Sequence, residues 1–164
     1  MRGRFLSGVA AAAWVLGCAA GELELPGEGE LQGLYGPSAE LSLNGNVVDI
    51  RVRQPASQIR RGGELWARVG PYIYLFSPQT QTIFRRWSGV AGVRVRTFAT
   101  GVRDPVAEAL LVRDTLSSVT WHEANRRVAR ARLDGSRNPG YLEELVRFGE
   151  DYARYEYNSR FVRP

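Results

Sequence analysis

The sequence predicts an α+β domain, built as a small antiparallel β-sandwich or barrel followed by a C-terminal helical hairpin. Three observations carry this. Residues 39–101 contain short alternating apolar runs separated by turn residues. Residues 102–164 place apolar side chains at helical spacing, with glycine and Asn-Pro punctuation. Hydrophobic residues make up 44% of the 164-residue chain and charged residues 24%, a globular balance rather than a disordered one.

Within 39–101, Asn44-Gly45 is the strongest hairpin signal. With these two residues as the turn, Leu43 opposes Asn46 and Leu41 opposes Val48. Leu41, Leu43, Val48, Ile50 and Val52 then share one face, and Ser42, Asp49, Arg51 and Arg53 the other. Arg60-Arg61-Gly62-Gly63 reads as a turn and Leu65 to Val69 as a short strand. Tyr72 to Phe76 is rich in β-formers and apolar on both faces, which predicts a central strand. Ser77-Pro78 opens a turn, Thr82 to Arg85 begins another strand, and Val90 to Thr97 alternates again with Val93 and Val95 inward.

Within 102–164, Asp104-Pro105 has the form of an N-cap followed by proline at the first helical position, although Val106 to Asp114 also reads as a strand. Leu116, Val119, Ala124, Val128 and Ala131 follow a helical stripe that Gly135 stops. Asn138-Pro139 starts a second helix, whose aromatic-rich face comprises Tyr141, Leu145, Phe148, Tyr152 and Tyr155.

The N-terminus speaks to compartment. Arg2 and Arg4 precede sixteen uncharged residues, Phe5 to Ala20, which is the layout of an export signal. Val15-Leu16-Gly17-Cys18 resembles the bacterial lipobox, a resemblance confined to residues 1–18. It implies a diacylglyceryl group on the Cys18 sulfur and cleavage after Gly17. An uncleaved anchor helix is the alternative; sixteen residues reach only about 24 Å, short of a ~30 Å hydrocarbon core. Both place the remaining chain outside the cytoplasm, in the periplasm of a bacterial envelope. Residues 19–38, Gly-rich and carrying four glutamates and no arginine, read as an acidic tether.

Composition excludes several chemistries. All 22 basic residues are arginine, so there is no lysine for a Walker phosphate clamp or a Schiff base. One histidine and one cysteine cannot build a common His/Cys zinc site. His122-Glu123-Ala124-Asn125-Arg126 misses the HExxH pattern, because Arg126 stands where the second histidine belongs. The carboxylate pairs Glu143/Glu144 and Glu150/Asp151 are adjacent on helices rather than opposed across a cleft. No cofactor and no metal is expected.

The net charge of +5 is uneven, with nine arginines against three acids in residues 39–101. Arg51, Arg53, Arg94 and Arg96 beside Tyr72, Tyr74 and Trp87 form the candidate binding surface. Arginine among aromatic platforms suits single-stranded nucleic acid, but the compartment argues against that partner. Tyr152, Tyr155, Tyr157 and Phe161 either dock on the β unit or form a partner patch.

The expectation is therefore a membrane-anchored, periplasm-facing, non-enzymatic interaction or structural subunit, an accessory of a larger envelope or membrane complex. A lipoprotein binding an anionic glycan or lipid headgroup through the Arg/aromatic face is the second expectation. A small carboxylate-dependent hydrolase is the third.

Overall fold

The computed structural model describes residues 23–161. Helix α1 (Glu28–Tyr35) and a 3-10 turn lead into strands β1 (Ala39–Asn44) and β2 (Val47–Gln54). Helices α2 (Ala56–Leu75) and α3 (Pro78–Arg86) follow, then β3 (Gly92–Ala99) and β4 (Pro105–Val112). Helices α4 (Ser118–Asp134) and α5 (Gly140–Tyr152) precede β5 (Arg154–Tyr157), and a 3-10 turn closes at Phe161.

The fold is α+β. All five strands belong to a single mixed sheet in the order β1-β2-β3-β4-β5. The pairs β1/β2, β3/β4 and β4/β5 are antiparallel, whereas β2 and β3 run parallel. A parallel pair needs a long crossover, and α2 with α3 supplies it. The expected sandwich or barrel is replaced by one open sheet with helices packed on one face.

The replacement originates in residues 56–86. Arg60 to Gly63, Leu65 to Val69 and Tyr72 to Leu75, expected within a turn and two strands, belong to the twenty-residue helix α2, Phe76 is its C-cap, and Thr82 to Arg85 belong to α3. Along α2 and its C-cap, Val69, Tyr72, Ile73 and Phe76 are buried at spacings of three and four, a helical stripe. Leu75, on the flank of that stripe, is buried too. A helix buried around most of its circumference gives the same apolar run as a central strand. Pro71 removes one hydrogen-bond donor inside α2. The side chain of Gln54 packs against neighbouring Gly70, and its Nε2 lies 3.5 Å from the Trp66 carbonyl. At the C-terminal end of α2, exposed carbonyls find partners: Phe76 N–H bonds the Tyr72 carbonyl at 3.0 Å, Arg132 Nη2 that of Ile73 at 3.2 Å, and Thr80 Oγ1 that of Tyr74 at 3.1 Å. Ser77 is the N-cap of α3, accepting from Thr80 N–H at 3.3 Å, with Pro78 at the first helical position.

Other expectations are corrected locally. The hairpin loop is Gly45-Asn46 rather than Asn44-Gly45, so Leu43 pairs with Val48 and Leu41 with Ile50. Gly45 takes φ 62°, as a tight hairpin turn requires. The register moves by two residues, which leaves the inward set unchanged. Pro105 begins strand β4 and not a helix. On α4, Leu116's neighbour in the expected stripe, Val119, is 69% exposed, while Trp121, Ala124, Val128 and Ala131 face the core. Tyr155 lies on β5, beyond the end of α5.

The acidic segment is shorter as a tether than expected. Leu31 of α1 is fully buried, Glu30 pairs with Arg86 at 2.9 Å, and Gly89 N–H donates to the Glu24 carbonyl at 2.8 Å. Residues 23–38 thus pack on the domain. The lipobox and Cys18 lie outside the described residues.

The main core lies between sheet and helices. Val48, Ile50, Val93, Val95, Ala109 and Leu111 face Tyr72, Phe76, Leu142 and Leu145. Each fully buried Val, Leu, Ile or Phe contributes about 1.5–3 kcal/mol.

Candidate functional site

The uncovered face of the sheet collects charged residues in register. Across the strands run Glu40–Arg51–Arg96–Glu108–Glu156 and, one row along, Ser42–Asp49–Arg94–Leu110–Arg154. Strand alternation puts every one of these side chains on the same side. Asp49 has only 7% of its side chain exposed and lies 3.5 Å from Arg94 and 3.6 Å from Arg96. Glu108 meets the same two guanidiniums from β4, at 3.1 and 2.8 Å. At the β1 edge, Glu40 stands 3.8 Å from Arg51 and 3.4 Å from Arg53.

Arg51, Arg53, Arg94 and Arg96 therefore share one surface, as expected from strand alternation, but each has a carboxylate partner. Asp49 and Glu40, two of the three acids of residues 39–101, supply part of this pairing, and Glu108 of β4 adds an acid from outside that segment. The exposed pairs, Glu40 with Arg51 and Arg53, contribute about 0–1 kcal/mol each. Their larger effect is to hold long side chains in one arrangement. Arg51 also lies over the Phe98 ring at 4.8 Å. Beside it a 290 Å³ hollow is lined by Arg51, Arg53 and Arg103, with Glu40, Phe98 and Val102.

Tyr72, Tyr74 and Trp87 are not brought to this face. Because residues 72–75 are helical, Tyr72 lies fully buried under the other side of the sheet, stacked on Phe76 at 5.8 Å and on Tyr155 at 5.2 Å. Trp87, 1% exposed, follows α3 into the core. Tyr74 sits beneath the Arg132 guanidinium, 5.7 Å from its ring centroid.

The aromatic C-terminal residues dock on their own domain. Tyr152 packs on Phe148 at 4.7 Å, Tyr155 on Tyr72, and Tyr157 on Tyr155 at 6.0 Å. Phe161 caps a small second cluster of Ile59, Ala67, Ala99 and Val106. Of the four, Tyr157 is the one left largely open, at 42%.

The hydroxyls of Tyr72 and Tyr155 are buried with no hydrogen-bond partner among the described residues. Burial, the largest cause in both, raises their ionisation well above the ordinary tyrosine value, and the charge of Glu150 adds to it. Arg68, ion-paired to Glu150, opposes the rise at both. Tyr35, whose hydroxyl lies 2.9 Å from Thr80 Oγ1, is likewise raised by burial.

His122 is exposed on α4, and among the described residues no cluster of three His, Cys, Asp or Glu side chains is placed to hold a metal ion. Of the expected carboxylate pairs, Glu150 is bound to Arg68 and Glu143 and Glu144 are exposed on α5. Glu108 and Glu156 do line one shallow 200 Å³ hollow together, with Glu108 already held by Arg94 and Arg96.

One feature escapes sequence reasoning altogether. Two adjoining cavities of 430 and 720 Å³ share Pro55, Gln58 and Trp66 as their common wall. They run from Arg53 and Arg132 past Trp66 to Ser136 and Pro139. The lining comes from the β2–α2 junction, α2, the end of α4 and the α4–α5 loop, residues far apart in the chain. No local motif announces such a groove, and the expected strand at Leu65 to Val69 hid Trp66. Compared with known protein families, curated proteins and solved structures, the chain matches none.

Proposed function

We propose that the chain is a membrane-tethered, extracytoplasmic, non-enzymatic interaction subunit, which docks on another envelope protein through the open face of its sheet. The observation that supports this best is the cross-strand ladder of Arg51, Arg94 and Arg96 with Glu40, Asp49 and Glu108. A protein partner pays less to bind side chains that are already ordered. Arginine is enriched at protein interfaces, and its planar fork suits patterned recognition. With positive and negative groups interleaved, the face suits a partner of mixed, patterned charge better than a uniform polyanion. Half-buried Leu110 and Val112, 46% exposed, add apolar points at its β4 side. The tether follows from the lipobox resemblance at Cys18.

The test is extraction of native membranes in mild detergent with a photo-crosslinking residue at Leu110 or Arg154. Controls carry it at Arg130, exposed on α4. A stoichiometric partner captured from the sheet positions and not from α4 is expected. Recovery of a lone monomer, or equal capture from α4, overturns the proposal. Intact mass of the mature N-terminus tests Cys18: the expected mass is that of the chain from Cys18 plus diacylglycerol, and an unprocessed Met1 chain overturns the acylation.

A further inference from the structure

The groove around Trp66 has a chemistry of its own. Trp66 is half-buried and lines both cavities, together with Gln58 on α2 and Pro55 at the β2–α2 junction. Gln79 and Ser77 border the first cavity, and Ser57 and Ser136 the second. Two guanidiniums, Arg53 and Arg132, border the first cavity, and among the described residues no carboxylate lines either one. Arg53 is shared with Glu40 at the β1 edge, 3.4 Å away, whereas Arg132 makes no ion pair among the described residues and is the groove's unmatched cation. Arg132 is oriented from behind: one of its N–H groups bonds the Ile73 carbonyl, and its plane lies over Tyr74.

We infer that this groove binds an acidic oligosaccharide, with a sugar ring on the Trp66 indole and its carboxylate toward Arg53 and Arg132. A pyranose has an apolar C–H face and a rim of hydroxyls. A flat indole flanked by amides and hydroxyls complements both at once. The guanidiniums supply the forked donors that a uronate carboxylate accepts. An extended peptide fits less well, because the groove presents no strand edge for backbone pairing. The inference does not depend on the docking proposal, since apart from Arg53 and Gln54 at the end of β2 the lining comes from the helices and the loops joining them.

Tetragalacturonic acid is the probe, titrated against the full mature chain and followed by tryptophan emission and acrylamide quenching. Trp87 and Trp121 are 1% and 8% exposed, so among the described tryptophans the quenchable signal belongs to Trp66. Saturable protection of Trp66 is expected, weakened by salt and about tenfold weaker with neutral maltotetraose, as loss of one charge-assisted contact predicts. Gln58→Ala, in the first turn of α2, should weaken binding about fivefold by removing one hydrogen bond, with an unchanged melting temperature. Trp66→Ala should abolish it, read by calorimetry. Absence of protection, equal affinity for maltotetraose or for tetraglutamate, or unchanged affinity in both variants overturns the inference.

Discussion

The ring of Tyr72 lies flat against Gly149, so closely that a Cβ at position 149 would overlap three of its carbons. This contact sets the distance between α2 and α5. Alanine at 149 would gain about 1 kcal/mol of helix propensity. The overlap, against a ring already stacked between Phe76 and Tyr155, should cost up to ~3 kcal/mol. Gly149→Ala is therefore expected to lower the melting temperature. In a Tyr72→Leu background the loss should shrink or reverse, and denaturant melts of the two single variants and the double variant check this.

Arg113 is the second expectation. From the end of β4 its guanidinium donates to the carbonyls of Val90 at 2.5 Å, Phe84 at 2.6 Å and Trp87, and lies over the Phe84 ring at 5.2 Å. It thus closes the C-terminal end of α3 from across the fold. Arg113→Leu leaves these carbonyls without that donor and should cost about 2–4 kcal/mol. Arg113→Lys, with a point charge in place of a fork, should recover only part. Chemical unfolding of both variants decides it.

Asp49 is the buried member of the charged ladder. Asp49→Ala leaves Arg94 and Arg96 sharing Glu108 alone, at a cost of about 1–3 kcal/mol. Asp49→Asn should cost less, because an amide oxygen still accepts. A double-mutant cycle with Glu108→Gln should show coupling between the two acids, and strict additivity would count against a shared network.

The buried tyrosines give a pH expectation. Their ionisation is raised in the folded chain above the ordinary value of 10.0. The sign is that of a proton held more tightly when folded. Their contribution to stability is complete below pH ~10 and is lost as the pH climbs further. In a spectrophotometric titration of the seven tyrosines, Tyr35, Tyr72 and Tyr155 should ionise only as the chain unfolds. Because the Tyr72 and Tyr155 hydroxyls have no partner among the described residues, Tyr72→Phe and Tyr155→Phe should be neutral or slightly stabilising near pH 7 and should blunt the alkaline loss.

Half-buried elements were the legible ones. The hairpin and Val93 to Thr97 bury one face only, so a period of two survives in the sequence. Helix α4 is legible for the same reason at its own period. Helix α2 is not, since Pro71 to Phe76 is apolar on nearly every side and Tyr72-Ile73-Tyr74 favours strands. That misassignment propagates to function. Tyr72 and Tyr74 join the arginine face only if residues 72–76 form a strand; as a helix they turn to the core and to the Trp66 groove. The arginines fared better, because alternation alone puts Arg51, Arg53, Arg94 and Arg96 on one side. Their carboxylate partners arrive from other strands, a matter of pairing order that local pattern does not encode.

The seating of residues 23–31 on the α3–β3 loop limits how far the domain can stray from a lipid at Cys18. Under the proposed anchor, five peptide steps separate Cys18 from Leu23, a reach of about 17 Å even when fully extended. The Gly89–Glu24 contact then fixes which end of the domain meets the bilayer. Exposed Arg86, at the end of α3, pairs with Glu30 of the same seated segment. Such a protein would work as a surface fixture with a set orientation, presenting its sheet to neighbours in the same membrane rather than sampling the space between membranes.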